Sequence, residues 1–252
     1  MITRIALAGY LHDYLNCDTI QDYAPNGLQV EGRLDIHKIC TAVTASEAAI
    51  VEAVAMGADA LLVHHGFFWR GEESVITGMR RRRIGQLLVN DLNLYAYHLP
   101  LDCHQTLGNN ACLAQLFQAR NMTTHDAGKI AKVLWSGELA QPVSAQVFSE
   151  QLNTLFQKKP ICVSGSEYLI KRIAWCSGAA QDFIEDAYRL GVDAYLSGEI
   201  SERTYYQAQE LNMHYFACGH HATERFGIQA LGEHLAKQFN LVHQFIDSEN
   251  PV

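Results

Sequence analysis

Two stretches of this 252-residue chain follow one pattern, and that pattern limits the fold more than any other feature. Residues 38–66 read KICTAVTASEAAIVEAVAMGADALLVHHG, and residues 172–200 read RIAWCSGAAQDFIEDAYRLGVDAYLSGEI. Each opens on a β-rich apolar run (Ile39 to Val43; Ile173 to Cys176) and enters helical apolar spacing (Ala49, Ala53, Met56; Phe183, Ala187, Leu190). Each helix is expected to stop at a glycine, Gly57 or Gly191. The chain then resumes as a strand, Ala60 to Val63 or Ala194 to Ser197. Strand, helix, strand is the signature of a parallel βαβ unit. A second echo follows in the same order: DLNLYAYHLPLD at 91–102 and ELNMHYFACGHH at 210–221, each running from a helix end into an apolar strand. The expectation is an α/β protein of two related halves, residues 1–125 and 126–252. Residues 121–145, with Pro142 and two glycines, read as the connection between them.

The polar residues fall at telling places on this scaffold. His64 and His65 close the apolar strand LLVHHG, Asp102 closes the strand expected in YAYHLPLD, and His220 closes the equivalent strand of the second half. Parallel sheets bind ligands at the carboxyl ends of their strands, so all three segments are expected to serve one crevice. Adjacent residues of a straight strand point to opposite faces, so His64 and His65 fit two neighbouring ions at a strand end better than one ion. His220 and Glu224 stand four apart, on one face of a helix. Three imidazoles and two carboxylates suit zinc, iron or manganese better than calcium or magnesium. A bridging carboxylate holds two ions about 3.5–4 Å apart in two-metal hydrolytic sites. A single histidine at a strand end is more often structural than a ligand; the paired histidines at two strand ends carry the metal reading.

Composition removes several alternatives. A formal net charge of −8 argues against broad nucleic-acid binding. No apolar run approaches the roughly 20 residues of a membrane span, and the opening residues lack a signal-peptide pattern. The cysteines are seven, scattered, and never spaced as CxxC, which suits reduced thiols in the cytoplasm. No GxGxxG or P-loop string supports dinucleotide binding or Walker-type ATP hydrolysis.

DYAPNGLQVEG (22–32), VTAS (43–46), GADALLVHHGFFW (57–69), YAYHLPLDCHQTLGNN (95–110), SGEISE (197–202) and GHHATER (219–225) together resemble the Nif-three-like family. These proteins are also called GTP cyclohydrolase type-two homologues, and the likeness covers nearly the whole chain, particularly to short bacterial members. The resemblance implies two related α/β halves with a dinuclear metal site in the cleft between them, and a toroidal homohexamer. It places the ligands of two divalent ions per subunit on His64, His65, Asp102, His220 and Glu224, with Glu224 as the bridge. The longer members' inserted domain has no room here.

His98 lies four residues before Asp102 and is expected beside the metals, as a proton shuttle or as a group that orients a ligand. His104 and His221 neighbour ligands without an assigned role, and Cys103 could in principle ligate a soft metal. Pro25-Asn26-Gly27 reads as a tight turn at the rim of the site. Gly108-Asn109-Asn110 reads as a loop and helix cap. Arg80 to Arg83 form the one basic cluster, read first as a solvated helix face and second as a phosphate or single-strand contact. The expected function is a metal-dependent hydrolase acting on a nucleotide-like or phosphorylated small molecule. The alternative is a non-catalytic metallochaperone, sensor or ring-shaped scaffold; a nucleic-acid clamp is the third reading.

Overall fold

The βαβ pattern forms where its spacing puts it. A computed structural model describes residues 1–165 and 167–252. Contacts divide the chain into two units, Met1–Gly108 with Gly227–Glu249, and Asn109–Phe226 with Asn250–Val252. In chain order the first unit contains β1 (Ile2–Thr3), α1 (Arg4–Tyr14), β2 (Gly27–Val30), β3 (Asp35–Ile36), β4 (Lys38–Thr44), α2 (Glu47–Ala55), β5 (Ala60–His65), α3 (Gly78–Val89), β6 (Asn93–Ala96) and the single turn α4 (Leu99–Asp102). The second contains α5 (Asn109–Leu116), β7 (Arg120–Ala127), β8 (Ile130–Val143), α6 (Ala145–Phe156), β9 (Ile161–Val163), β10 (Ile170–Trp175), α7 (Ile184–Arg189), β11 (Ala194–Ser197), α8 (Glu202–Glu210) and β12 (His214–Ala217). Helix α9 (His220–Phe239) starts in the second unit, and its later turns with β13 (Val242–Phe245) belong to the first. The units therefore do not coincide with a single cut near residue 125.

Beside the short antiparallel pair β1-β3, the two larger sheets are each built on three parallel strands, β4-β5-β6 and β10-β11-β12. Each core is flanked beyond its third strand by an antiparallel one, β2 or β9. The first sheet adds β13 parallel to β4, and the second adds β8 and β7 antiparallel. Alternating residues of β4 serve both faces of the first sheet. Cys40 and Ala42 pack with Ala49, Ile50 and Ala53 of α2, while Ile39 and Val43 pack with Leu7 and Leu11 of α1 and Leu231 and Leu235 of α9. A sheet covered on both faces is what its near-continuous apolar strands require. The second unit has its own core around Trp175, Phe216, Phe148 and Leu152.

Each unit repeats one fixture. Asp59 Oδ2 accepts the N–H groups of His37 and Lys38 at 2.8 and 2.9 Å, and Asp193 Oδ2 accepts those of Lys171 and Arg172 at 2.9 and 2.7 Å. Both carboxylates follow a helix-terminating glycine in the left-handed region, Gly57 (φ 68) and Gly191 (φ 69), as the C-cap reading requires. The carbonyls of Asp59 and Asp193 then accept from Asn93 and His214 at 3.2 and 3.1 Å. That bonding matches Asn93 to His214, two residues away from the partner that the letters of the second echo suggest. Backbone pairing sets register, and the shared Leu-Asn letters do not.

Residues 121–145 are not a simple connection. They form most of a β-hairpin, with Thr123 opposite Ser136 and Thr124 opposite Trp135, turning at Gly128 (φ 57). Val133, Leu134 and Trp135 are all buried and burial then alternates to Leu139, which gives the strand a core face, and its polar edge disguised it in the sequence. Among the described residues no helix is long and apolar enough to cross a membrane.

Candidate metal centre

In the first unit β5 ends on His64 and His65, and their rings lie 4.7 Å apart between centroids. Gly66 permits this ending: a Cβ there would sit 2.2 Å from Gln29 Oε1. His64 is fully buried. Its Nδ1 lies 3.0 Å from the carbonyl oxygen of Tyr97, which can only accept, so Nδ1 carries a proton and, in the neutral ring, Nε2 is the lone-pair nitrogen. That Nε2 stands 3.4 Å from Asp102 Oδ2. His65 Nδ1 is 3.1 Å from the Thr44 hydroxyl.

Asp102 does not close a strand. β6 stops at Ala96, and Pro100 at the start of α4 turns the chain, so Asp102 ends a helical turn. The Asp102 N–H donates to the His98 carbonyl at 3.2 Å, and the two residues are related by a turn of helix rather than by a strand face. His64, His65 and His98 each offer a ring nitrogen, and these atoms lie within 4.8 Å of one another.

The loop before β2 holds His98. Asp22 accepts from the N–H groups of Tyr23, Ala24 and Leu99, from Asn26 Nδ2, and from His98 Nδ1 at 3.0 Å. Asn26 Oδ1 in turn accepts the His98 N–H at 2.7 Å. The bend falls on Tyr23 and Ala24, with Asn26 and Gly27 leading straight into β2, so the expected Pro25-Asn26-Gly27 turn is displaced onto the Asp22 side chain. Burial pushes the Asp22 carboxyl up, but the hydrogen bond and charge of His98, with Asn26 and Leu99, outweigh it and hold it at about 2. Asp22 was not legible as a site residue. Its signal was its place at the head of DYAPNG.

In the second unit β12 stops at Ala217, so His220 opens α9 instead of closing the strand; Glu224 follows one turn on, with His220 Nε2 3.1 Å from Glu224 Oε2. His220 Nδ1 is 2.6 Å from Glu199 Oε1. Burial pulls this imidazole down, but the hydrogen bonds and charges of Glu224 and Glu199 prevail and raise it to about 9. Glu199 is itself fixed, because its carbonyl accepts from Ser197 Oγ at 2.8 Å and from Tyr215 OH at 2.6 Å. A Cβ on Gly178 (φ 68) would lie 2.2 Å from Glu224 Oε1, so only glycine leaves room for that carboxylate. Neither Glu199 nor Gly178 was singled out in the sequence. The pairing of LVHHG with LSGEI does set Glu199 opposite His65.

The donor chemistry fits divalent metal binding. His64 and His220 each direct Nδ1 at a carbonyl or carboxylate, which leaves Nε2 as the ligand atom in the neutral ring; His98 is oriented the same way by Asp22. The other candidates are accounted for structurally. Burial, with the charges of Asp102 and Asp22, pushes the Cys103 thiol up to about 12, away from a ligating thiolate. His104 packs its ring 5.0 Å from that of Tyr14, and His221 is buried with its N–H on the Val252 carbonyl. Asn110 accepts from the Ser177 N–H and holds Trp175 Nε1 on its carbonyl. Of the arginine run, Arg80 pairs with Glu72 and Arg82 with Glu47. All seven cysteines are free thiols.

Comparison with known proteins shows what the chain as a whole is similar to. The family model Duf34/NIF3 (NGG1p interacting factor 3) matches residues 2–251. A Haemophilus influenzae protein named GTP cyclohydrolase 1 type 2 homolog is 47% identical over 251 residues, covering 99% of this chain and 100% of its own length. Among solved structures, the protein ybgI, described as of unknown function, superposes with a TM-score of 0.93 at 46% identity over 100% of both chains. TTHA1606 from Thermus thermophilus gives 0.90 at 32% identity, again over 100% of both.

Proposed function

Because this chain belongs to the Duf34/NIF3 family, we propose that it holds two divalent ions with His64, His65, Asp102, His220 and Glu224, and uses them to hydrolyse a nucleotide-like or other phosphorylated small molecule. The observation that carries the reading is the fixed orientation of its histidine rings. Tyr97 O and Glu199 each accept an Nδ1 proton, from His64 and His220, so the Nε2 atoms face the carboxylates Asp102 and Glu224. The name GTP cyclohydrolase 1 type 2 homolog, carried by the Haemophilus influenzae relative, supports a nucleotide-like substrate.

The imidazole-rich donor set favours zinc, iron or manganese. When bound, such ions supply Lewis acidity, acidifying water and polarising the bond that it attacks. The protein's own contribution is positioning. Asp22 holds His98 by side chain and, through Asn26, by backbone, so its Nε2 is aimed and available to take or give a proton. Glu199 keeps His220 in one orientation, and Gly178 keeps the wall open for Glu224. The toroidal homohexamer belongs to the same proposal and is tested by the mass of the protein in solution.

The test is metal content of protein purified without added metal, together with a chelator-sensitive hydrolysis screen over nucleotides. Two equivalents of metal with turnover that disappears in a His64→Ala, Asp102→Ala double variant support the reading. Metal without turnover moves the protein to the metal-handling alternative. Failure to take up zinc, manganese or iron removes the site.

A further inference from the structure

The first unit carries a group of aromatic side chains that the ligand set does not use. The Trp69 ring lies 5.0 Å from His98 and 5.8 Å from His65, and Tyr23 lies 5.1 Å from His98. Tyr23 and Trp69 are 5.7 Å apart and inclined at 39°. Tyr23 is about half exposed (49%) and Trp69 is partly exposed, unlike the aromatic residues that fill the two cores.

The group is held in place. Trp69 Nε1 donates to the Gly66 carbonyl at 3.1 Å, and the Trp69 N–H donates to Glu72 at 3.2 Å. The Arg70 N–H donates to the Tyr23 carbonyl at 2.9 Å, which ties the two loops together. Phe68, just before Trp69, sits in the left-handed region at φ 66, a conformation that a bulky residue adopts only when its surroundings impose it. With Phe68 in that conformation, the Trp69 ring lies beside His65 and His98, while Phe68 is exposed with the Arg80 guanidinium over its ring.

We propose that Trp69, with Tyr23, forms a shelf on which one face of a planar heteroaromatic ring stacks beside His65 and His98. This rests on the proposed hydrolase reading and names the part of the substrate that the metals do not hold. Two stacked contacts need roughly 7 Å between flanking rings, about 3.5 Å for each, so a pair 5.7 Å apart serves as a shelf and not a slot. An indole face stacks with any base and is tolerant of its identity. A cationic guest would also favour indole, but next to two divalent ions it would be repelled. Because the hydrogen bonds fix the shelf beforehand, little ordering is left to oppose binding.

The intrinsic fluorescence of the protein tests this directly. Trp135 and Trp175 are buried at 6% and 1% exposure, so quenching by an added solute reports on Trp69. Adenosine, guanosine and cytidine are titrated into zinc-loaded and chelator-treated protein, with ribose 5-phosphate and choline as controls. Saturable quenching by a nucleoside and none by ribose 5-phosphate or choline is the expected result. In equilibrium dialysis, Trp69→Leu and Tyr23→Leu should each weaken nucleoside binding by about tenfold, the scale of one lost stacking contact. No saturable quenching by any nucleoside overturns the shelf, as do equal quenching by ribose 5-phosphate or choline and nucleoside affinity unchanged in both variants. Zinc content measured on the same samples separates the two readings. Zinc uptake without nucleoside binding sinks the shelf alone, and nucleoside binding without zinc uptake sinks the metal site alone.

Discussion

His220 presents Nδ1 to Glu199 at 2.6 Å and Nε2 to Glu224 at 3.1 Å, so one imidazole is gripped by two carboxylates of its own unit. The first contact orients the ring; the second joins two of the proposed metal ligands. Removing the orienting carboxylate should cost affinity without removing a ligand. Glu199→Ala is expected to lower zinc affinity by about 10–100-fold, with Glu199→Gln retaining more because its carbonyl still accepts the Nδ1 proton. Competition against a chromophoric chelator reads this, and unchanged affinity in Glu199→Ala would dismiss the role.

Gly178 makes a steric prediction. Gly178→Ala would set a methyl group 2.2 Å from Glu224 Oε1 and force a left-handed alanine. The expected outcome is a loss of about 1–3 kcal/mol in stability together with loss of bound metal. Urea denaturation and metal content measure the two parts, and a variant that kept both would show that the carboxylate is placed differently.

The metal-free protein should lose stability as the solution becomes alkaline. His220 titrates at about 9 in the fold against an ordinary 6.5, so its contribution is complete below 6.5 and is lost as pH rises through about 9. The urea midpoint of chelator-treated protein should fall across that window, and His220→Gln should flatten the fall. An equal fall in the variant would assign it to other groups.

Asp22 predicts the opposite limb. Its folded value of about 2 lies below the ordinary 3.8, so the stability it contributes is present above 3.8 and disappears as pH falls through about 2. Asp22→Asn should lack that acid dependence. At neutral pH it should cost about 1–3 kcal/mol, because it exchanges a charged acceptor of several N–H groups for a neutral one. Denaturation curves at pH 7 and pH 3 for both proteins check it.

Much of this protein was written locally. The helix-stopping glycines Gly57 and Gly191, the strand that ends on His64 and His65, and the one-turn spacing of His220 and Glu224 depend on residues within a few positions of each other. A period of 2 or 3.6 and a glycine C-cap are short-range signals, so sequence alone determined them. The hairpin over residues 120–143 was missed because its pairing brings together residues up to 18 positions apart, Arg120 with Glu138, across a face whose polar edge hides the alternation.

Only the tertiary structure decided which side chains orient the site. Asp22 reaches His98 across 76 positions, Tyr97 reaches His64 across 33, and Glu199 reaches His220 across 21. No periodicity links residues so far apart: two of the contacts exist only once parallel strands bring successive carboxyl ends side by side, and the Asp22 contact only once antiparallel β2 starts beside the end of β6. Sequence supplied the donors at the ends of strands and helices. Folding supplied the second hydrogen bond on each ring, and with it the choice of which nitrogen is offered.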